Sequence, residues 1–279
     1  IYFNSSADNC KIKDVGFYNN VAVMNGGAID CNASRMNLVN TVFESNIAGE
    51  YGAALCREAN ATKGSGYNNT FIANHAGIGG AALGWINASG IRIDTYTFID
   101  NTAELYGGAI YISSGSGDCL IKDSYFENNR VLDQEFGKGG AIYVNGNNTQ
   151  GNIYNSTFIL NEATEGGAIY VGNESGLINI TYSGFIKNTA YTLGGAINIE
   201  GSSVSLNNSY FKENTASEGG ALFVGGVGES NFIYTSSFTN NVATMGKGGA
   251  INWNASAGHI YDSEFTNNTA LYGGAIYIG

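Results

Sequence analysis

Proline is absent from all 279 residues. Its ring removes the N–H that a strand donates, so a chain without it suits sheets whose strands are paired on both edges. Charge is scarce too: 13% of residues are charged, against about 25% in ordinary soluble domains. Only 12 are Lys or Arg, against 23 Asp or Glu, for a net charge of −11. Phosphate backbones are bound by clustered basic side chains that release counterions. No such cluster exists here, which excludes nucleic acid and argues against an anionic membrane surface. The four cysteines, Cys10, Cys31, Cys56 and Cys119, form no CxxC pair, so no metal site is expected from them. No apolar run reaches the length of a membrane span, and no signal peptide is legible. The chain starts and stops inside its own pattern and reads as a segment of something longer.

What is abundant is Gly (41), Asn (37) and a hydrophobic share of 43%, and these residues recur in order. A glycine phrase, usually GGAI or GGAL, starts at Gly26, Gly52, Gly79, Gly107, Gly139, Gly166, Gly194, Gly219, Gly248 and Gly273, at spacings of 25 to 32 residues. Each copy follows a Phe-x-x-Asn motif, from Phe17 to Phe265. Five residues before that Phe stands Ile or Leu in nine of the ten copies, Gly66 being the exception. Two residues before it stands Ser in six copies. Residues 101–112, NTAELYGGAIYI, and 268–278, NTALYGGAIYI, are nearly the same phrase.

The apolar residues alternate with period two, the mark of strands rather than helices. Repeats near 27 residues that hold two or three short strands fit the coils of a parallel β-helix, whereas propeller blades need about 40 residues. Coils stack about 4.8 Å apart, and parallel crossovers favour right-handed winding. The expectation is one all-β domain over residues 1–279, a right-handed parallel β-helix of ten coils. Its Phe residues should form an internal stack. The motif Asn should sit at a corner in left-handed φ and bond to its equivalents in neighbouring coils. In GGAIYI the fourth and sixth places should point inward, Ala82 being the one non-aliphatic fourth place, and the fifth outward.

FxxN paired with GGA[IL] at this spacing resembles the repeats of chlamydial polymorphic outer membrane proteins. It is also similar to the adhesin-like surface proteins of methanogenic archaea. The resemblance runs from FYNN at residues 17–20 to GGAI at 273–276. It implies a pectin-lyase-like β-helix and an extracellular or cell-surface protein that acts in adhesion or as structure.

No catalytic signature stands out, and neither an enzyme nor a cofactor is expected. Asp94 and Asp123 are read as one repeat position in adjacent coils, where like charges raise a pKa or hold a cation; substitution of a corner residue is the simpler reading. The candidate ligand surface is the fifth place of the phrase. Tyr111, Tyr143 and Tyr170 occupy it in consecutive coils and should form a flat aromatic strip for a glycan or protein partner. A second candidate is the longer segment at residues 131–138, with Glu135 and Phe136, since solenoid insertions map to loops. Twelve Asn-x-Ser/Thr sequons occur. Six of them, Asn32, Asn60, Asn87, Asn147, Asn173 and Asn254, fall six to eight residues after the phrase's first Gly and are candidate glycosylation sites. Cys31 and Cys56 lie in adjacent coils, offset by one place, and should face opposite sides. The leading functional expectation is attachment to a glycan or protein on another surface. The alternatives are a passive stalk, sheath or filament that associates end to end or side by side, and third a polysaccharide-active enzyme.

Overall fold

The computed structural model describes residues 1–4, 9–32, 35–58, 64–88, 90, 92–113, 119–145, 151–173, 175–201, 203–226, 231–255 and 257–279. Among them there are strands and turns and no α-helix. The strands form four sheets of eleven, ten, ten and nine members, here A, B, C and D. Each coil visits A, B, C and D in turn, and each strand pairs in parallel with its equivalent one coil away. The result is a parallel β-solenoid of about nine turns. Coils are numbered below by their motif Phe, Phe17 being coil 1.

The repeat keeps register from end to end. Phe pairs with Phe across sheet C at all nine steps. The rings stack along the bore, for example at 4.5 Å and 11° for Phe98–Phe126 and 4.8 Å and 4° for Phe185–Phe211. Strand spacing close to the thickness of stacked rings makes this arrangement the natural one. Ile, Leu and Val from sheets A and B close the bore around them.

The motif Asn forms a second column, buried beside the stack. Asn129 shows the pattern: its Nδ2 donates to Asn161 Oδ1 (3.0 Å) and to Phe98 O (3.0 Å). Its Oδ1 accepts from Asn101 N (3.2 Å) and Asn101 Nδ2 (3.0 Å). The side chain thus satisfies backbone groups freed at the corner, which would be costly if buried unpaired. The expected left-handed φ belongs instead to the residue before it, as at Asn128 (φ 52°), Leu160 (φ 56°) and Lys187 (φ 53°). That conformation costs roughly 1–2 kcal/mol for an L-residue. Leu and Lys accept it because the ladder on the next residue fixes the corner.

The first Gly of the phrase is also left-handed, as at Gly139 (φ 69°). A Cβ on the second, Gly140, would lie 2.1 Å from Gly167 O. In coil 3 the left-handed residue is Gly80 (φ 59°), not Gly79, so that copy shifts by one. Leu83 then fills the fourth place, opposite Leu55 and Ile110, and Ala82 is no exception.

One stretch of the bore departs from the pattern. The sixth place holds Arg57 in coil 2 and Trp85 in coil 3, paired across sheet A and both buried. Beside them lie Gly64 and, in sheet B, Gly66, which stands where the other nine coils have Ile or Leu. A Cβ at Gly64 would sit 1.8 Å from Arg57 Nη1, and one at Gly66 would sit 1.7 Å from the Tyr96 hydroxyl. The glycines make room for the oversized neighbours.

Candidate functional site

The outer face of sheet A brings the fifth places into one column: Asp30, Cys56, Gly84, Tyr111, Tyr143, Tyr170, Asn198, Phe223, Asn252 and Tyr277. Tyr111, Tyr143 and Tyr170 are neighbours, as the sequence predicts, but they do not lie flat. Strands about 4.8 Å apart are closer than the width of a ring, so the rings stand up and stack on each other. Their centroids are 5.4 and 5.3 Å apart, with planes within 3° and 4°. Ring faces are consumed within the strip, which offers edges and hydroxyls outward. The strip is also more covered than expected: Tyr143 is 7% exposed and Tyr170 4%.

The cover comes from the residue just before the left-handed Gly. Tyr51 packs on Tyr111 (4.8 Å) and Tyr106 on Tyr143 (4.7 Å). In coil 5 that residue is Lys138, whose Nζ lies 4.4 Å from the centre of the Tyr170 ring, 3.0 Å from its hydroxyl and 3.2 Å from Glu165 Oε2. The Tyr170 hydroxyl donates to Glu200 Oε2 (2.6 Å), and Asn198 Nδ2 donates to Glu165 Oε2 (3.2 Å). Burial pushes the Glu165 carboxyl up, Lys138 opposes this, and nearby Glu200 adds to it. Burial likewise pushes the Tyr143 phenol up to about 12 and Tyr170 higher still. Tyr143 and Tyr170 are therefore neutral donors at ordinary pH.

Between these groups opens a cleft of about 400 Å³, lined by Tyr106, Lys138, Tyr143, Asn145, Tyr170 and Asn173. It presents hydroxyls, amides and one ammonium group, with two carboxylates behind. Such a surface suits a polyhydroxylated ligand through hydrogen bonds rather than through ring-face stacking. Tyr106, Lys138, Glu165 and Glu200 were not among the residues singled out in the sequence. The recurring LYGG of residues 105–108 and 271–274 held the signal for Tyr106.

The loop residues lie apart. Glu135 and Phe136 are exposed, Phe136 at 58%, and neither lines the cleft. Asp133 Oδ1 accepts the backbone N–H groups of Glu135 (2.9 Å) and Phe136 (2.6 Å), and these bonds hold the Asp133 carboxyl down. The insertion matters to the cleft through its last residue, Lys138. Of the six sequons, Asn87, Asn173 and Asn254 are exposed and Asn32 is half-buried. Asn60 and Asn147 lie outside the described residues.

Asp94 and Asp123 do not share a repeat position. Asp94 pairs with Lys122 across sheet B, and Lys122 Nζ reaches both carboxylates, at 3.8 and 3.0 Å. The expected like-charge pair is therefore bridged by a cation. Cys31 lines the bore, while Cys56 pairs with Asp30 on the outer face, so the two sulfurs do face opposite sides. Asp30, Cys56 and Glu58 bring one ligand atom each within 4.8 Å of one another. They could offer a cation a thiolate and two carboxylates, although burial and both carboxylates push the Cys56 thiol up and disfavour the thiolate.

Residues 95–113, 123–145 and 262–279 match the Chlamydia polymorphic membrane protein repeat. Each stretch contains the Phe, Asn and double Gly described above, and the chain carries repeats of this type. No curated protein matches the chain significantly. Among solved structures it is similar to the catalytic domain of a GH87 alpha-1,3-glucanase in complex with nigerose, at 11% identity and a TM-score of 0.43. Two single-residue variants of that domain, each in complex with nigerose, match at 11% identity and a TM-score of 0.44. In each case the alignment covers 96% of this chain and 61% of the glucanase chain. The likeness is one of fold.

Proposed function

We propose that this chain, built from repeats of the polymorphic membrane protein type, is the rod of a cell-surface, adhesin-like protein and that it binds glycans in the tyrosine-lined cleft. The observation that carries this reading is the convergence of Tyr143, Tyr170, Lys138, Asn145 and Asn173 on one open polar cleft. A rigid solenoid holds these groups in place before binding, which lowers the ordering cost of the complex. The family name supports a surface location. Exposed Asn87 and Asn254, away from the cleft, fit a glycosylated rod.

A broad glycan array tests the reading, with wild type beside Lys138→Met and Tyr170→Phe. Both substitutions alter the cleft and spare the bore. Saturable binding weakened at least tenfold by either variant supports the assignment. Equal binding by all three moves the site elsewhere, to the exposed Phe136 loop first. No binding by any of them favours a stalk or filament whose rods associate end to end or side by side.

A second reading rests on Glu165 and Glu200, two neighbouring carboxylates behind the cleft, of which Glu200 helps to push the Glu165 carboxyl up. Paired carboxylates beside a sugar site are the machinery of glycoside hydrolysis. Release of reducing sugar from a bound glycan, abolished in Glu200→Gln, would establish it. Intact glycan after prolonged incubation would leave the cleft a binding site only.

A further inference from the structure

The bore of a β-solenoid is apolar, and here coils 2 to 4 place a full positive charge in it. Arg57 is 3% exposed, and among the described residues its Nε and Nη2 have no hydrogen-bond acceptor. Trp85, its partner across sheet A and 1% exposed, has an unpartnered Nε1 as well. Both side chains line a cavity of about 20 Å³ together with apolar residues, Tyr96 and the exposed Ser65. The lining includes a second arginine, Arg92, and no carboxylate. Asp30 and Glu58, neighbours of Arg57 in sequence or register, belong to the cluster with Cys56 on the outer face of sheet A. The Tyr96 hydroxyl lies near Asn69, whose Oδ1 accepts Thr41 N–H and whose Nδ2 donates to Leu38 O.

Among the described residues, every buried unpaired side-chain group in this cell is therefore a donor, and one carries a charge that arginine keeps even when buried. Buried donors without acceptors are rare in folded chains, and a buried charge persists only when it is paired. A water supplies lone pairs but no counter-charge. The cavity exceeds the roughly 10–15 Å³ that one water-sized particle requires and is too small for a phosphate or carboxylate. Gly64 and Gly66 add to the case. A Cβ at either would collide with Arg57 or Tyr96, and Gly66 stands where the other nine coils carry Ile or Leu.

We propose that this cell is a binding site for a single small anion of the halide class, chloride in the first instance, held by Arg57 Nε and Nη2 and by Trp85 Nε1. The anion ties coil 2 to coil 3 from inside the bore. It is independent of the tyrosine cleft, which lies on the other face of sheet A and further along the rod.

The test uses the chain as it stands, with sodium bromide as probe. Crystals grown or soaked in bromide should show an anomalous peak within hydrogen-bonding distance of Arg57 and Trp85. In solution, the melting temperature should rise with the logarithm of chloride concentration once the site is half filled, compared with sodium gluconate at equal ionic strength. Arg57→Met should remove that difference, and Trp85→Phe should reduce it. Should Arg57→Met fail to fold, the wild-type salt comparison and the bromide map still decide. Identical melting in chloride and gluconate, with no bromide peak or with only water at the site, overturns the proposal.

Discussion

Coils 5 to 9 and coils 2 to 4 are built from the same repeat and solve the same packing problem in different ways. In coils 5 to 9 the Phe, Asn and Ser of the repeat see copies of themselves above and below. Phe126 is sandwiched at 4.5 and 4.6 Å by Phe98 and Phe158, and Ser156 Oγ accepts from Ser124 N (3.2 Å) while Ser183 Oγ accepts from Ser156 N (3.2 Å). In coils 2 to 4 the repeat residues are replaced and the replacements compensate each other in pairs. Tyr96 takes the serine place and Gly66 the aliphatic one, and the tyrosine hydroxyl fills the space that the missing side chain leaves. A residue in the regular part can be judged by its column, whereas a residue in the irregular part can be judged only with its partner.

The largest effect should come from breaking a column. Phe126→Ala removes a fully buried ring and should cost about 3–5 kcal/mol of unfolding free energy, read from the urea midpoint. A cost under 1 kcal/mol would mean that the stack relaxes and is not the core of the rod. A smaller effect sharpens the contrast. Gly66→Ile restores the repeat consensus and should nevertheless cost about 1–3 kcal/mol by overpacking against Tyr96. Adding Tyr96→Ser should recover most of that loss, the coupling expected of residues in contact. Additive losses would show that the two departures are unrelated.

The smallest effect concerns Asp30, at the N-terminal end of the tyrosine column. Burial first, and Glu58 second, push its carboxyl from 3.8 up to about 6. The folded state therefore binds this proton more tightly than the unfolded one, and ionising it costs stability. That cost is absent below about pH 4 and complete above about pH 6. Asp30→Asn should flatten the fall in melting temperature across this window, and parallel curves for variant and wild type would refute the assignment.

The architecture was legible because a solenoid writes its contacts into sequence. Identical coils put identical residues in register, so recurrence reveals the Phe stack and the Asn ladder without any long-range inference. Periodicity did not reveal corner geometry. Left-handed φ belongs to Asn128 and Leu160 and not to the conserved-looking Asn beside them, because the column that recurs is the one making hydrogen bonds. Nor does periodicity give the orientation of a ring. Tyr111, Tyr143 and Tyr170 were placed correctly on one face, but spacing alone could not show that they stack edge-outward. It also could not show that residues from earlier coils, Tyr51, Tyr106 and Lys138, cover them. Gly66 was visible as an exception, and its meaning needed the position of Tyr96.

The most direct test of the account is a crystal structure of the chain with the oligosaccharide that binds it most tightly. The sugar should lie in the cleft, with its hydroxyls within hydrogen-bonding distance of Lys138, Asn145 or Asn173 and the edges of Tyr143 and Tyr170. A sugar bound to any other face of the rod, with the cleft vacant, would contradict the assignment of the tyrosine column as the functional surface.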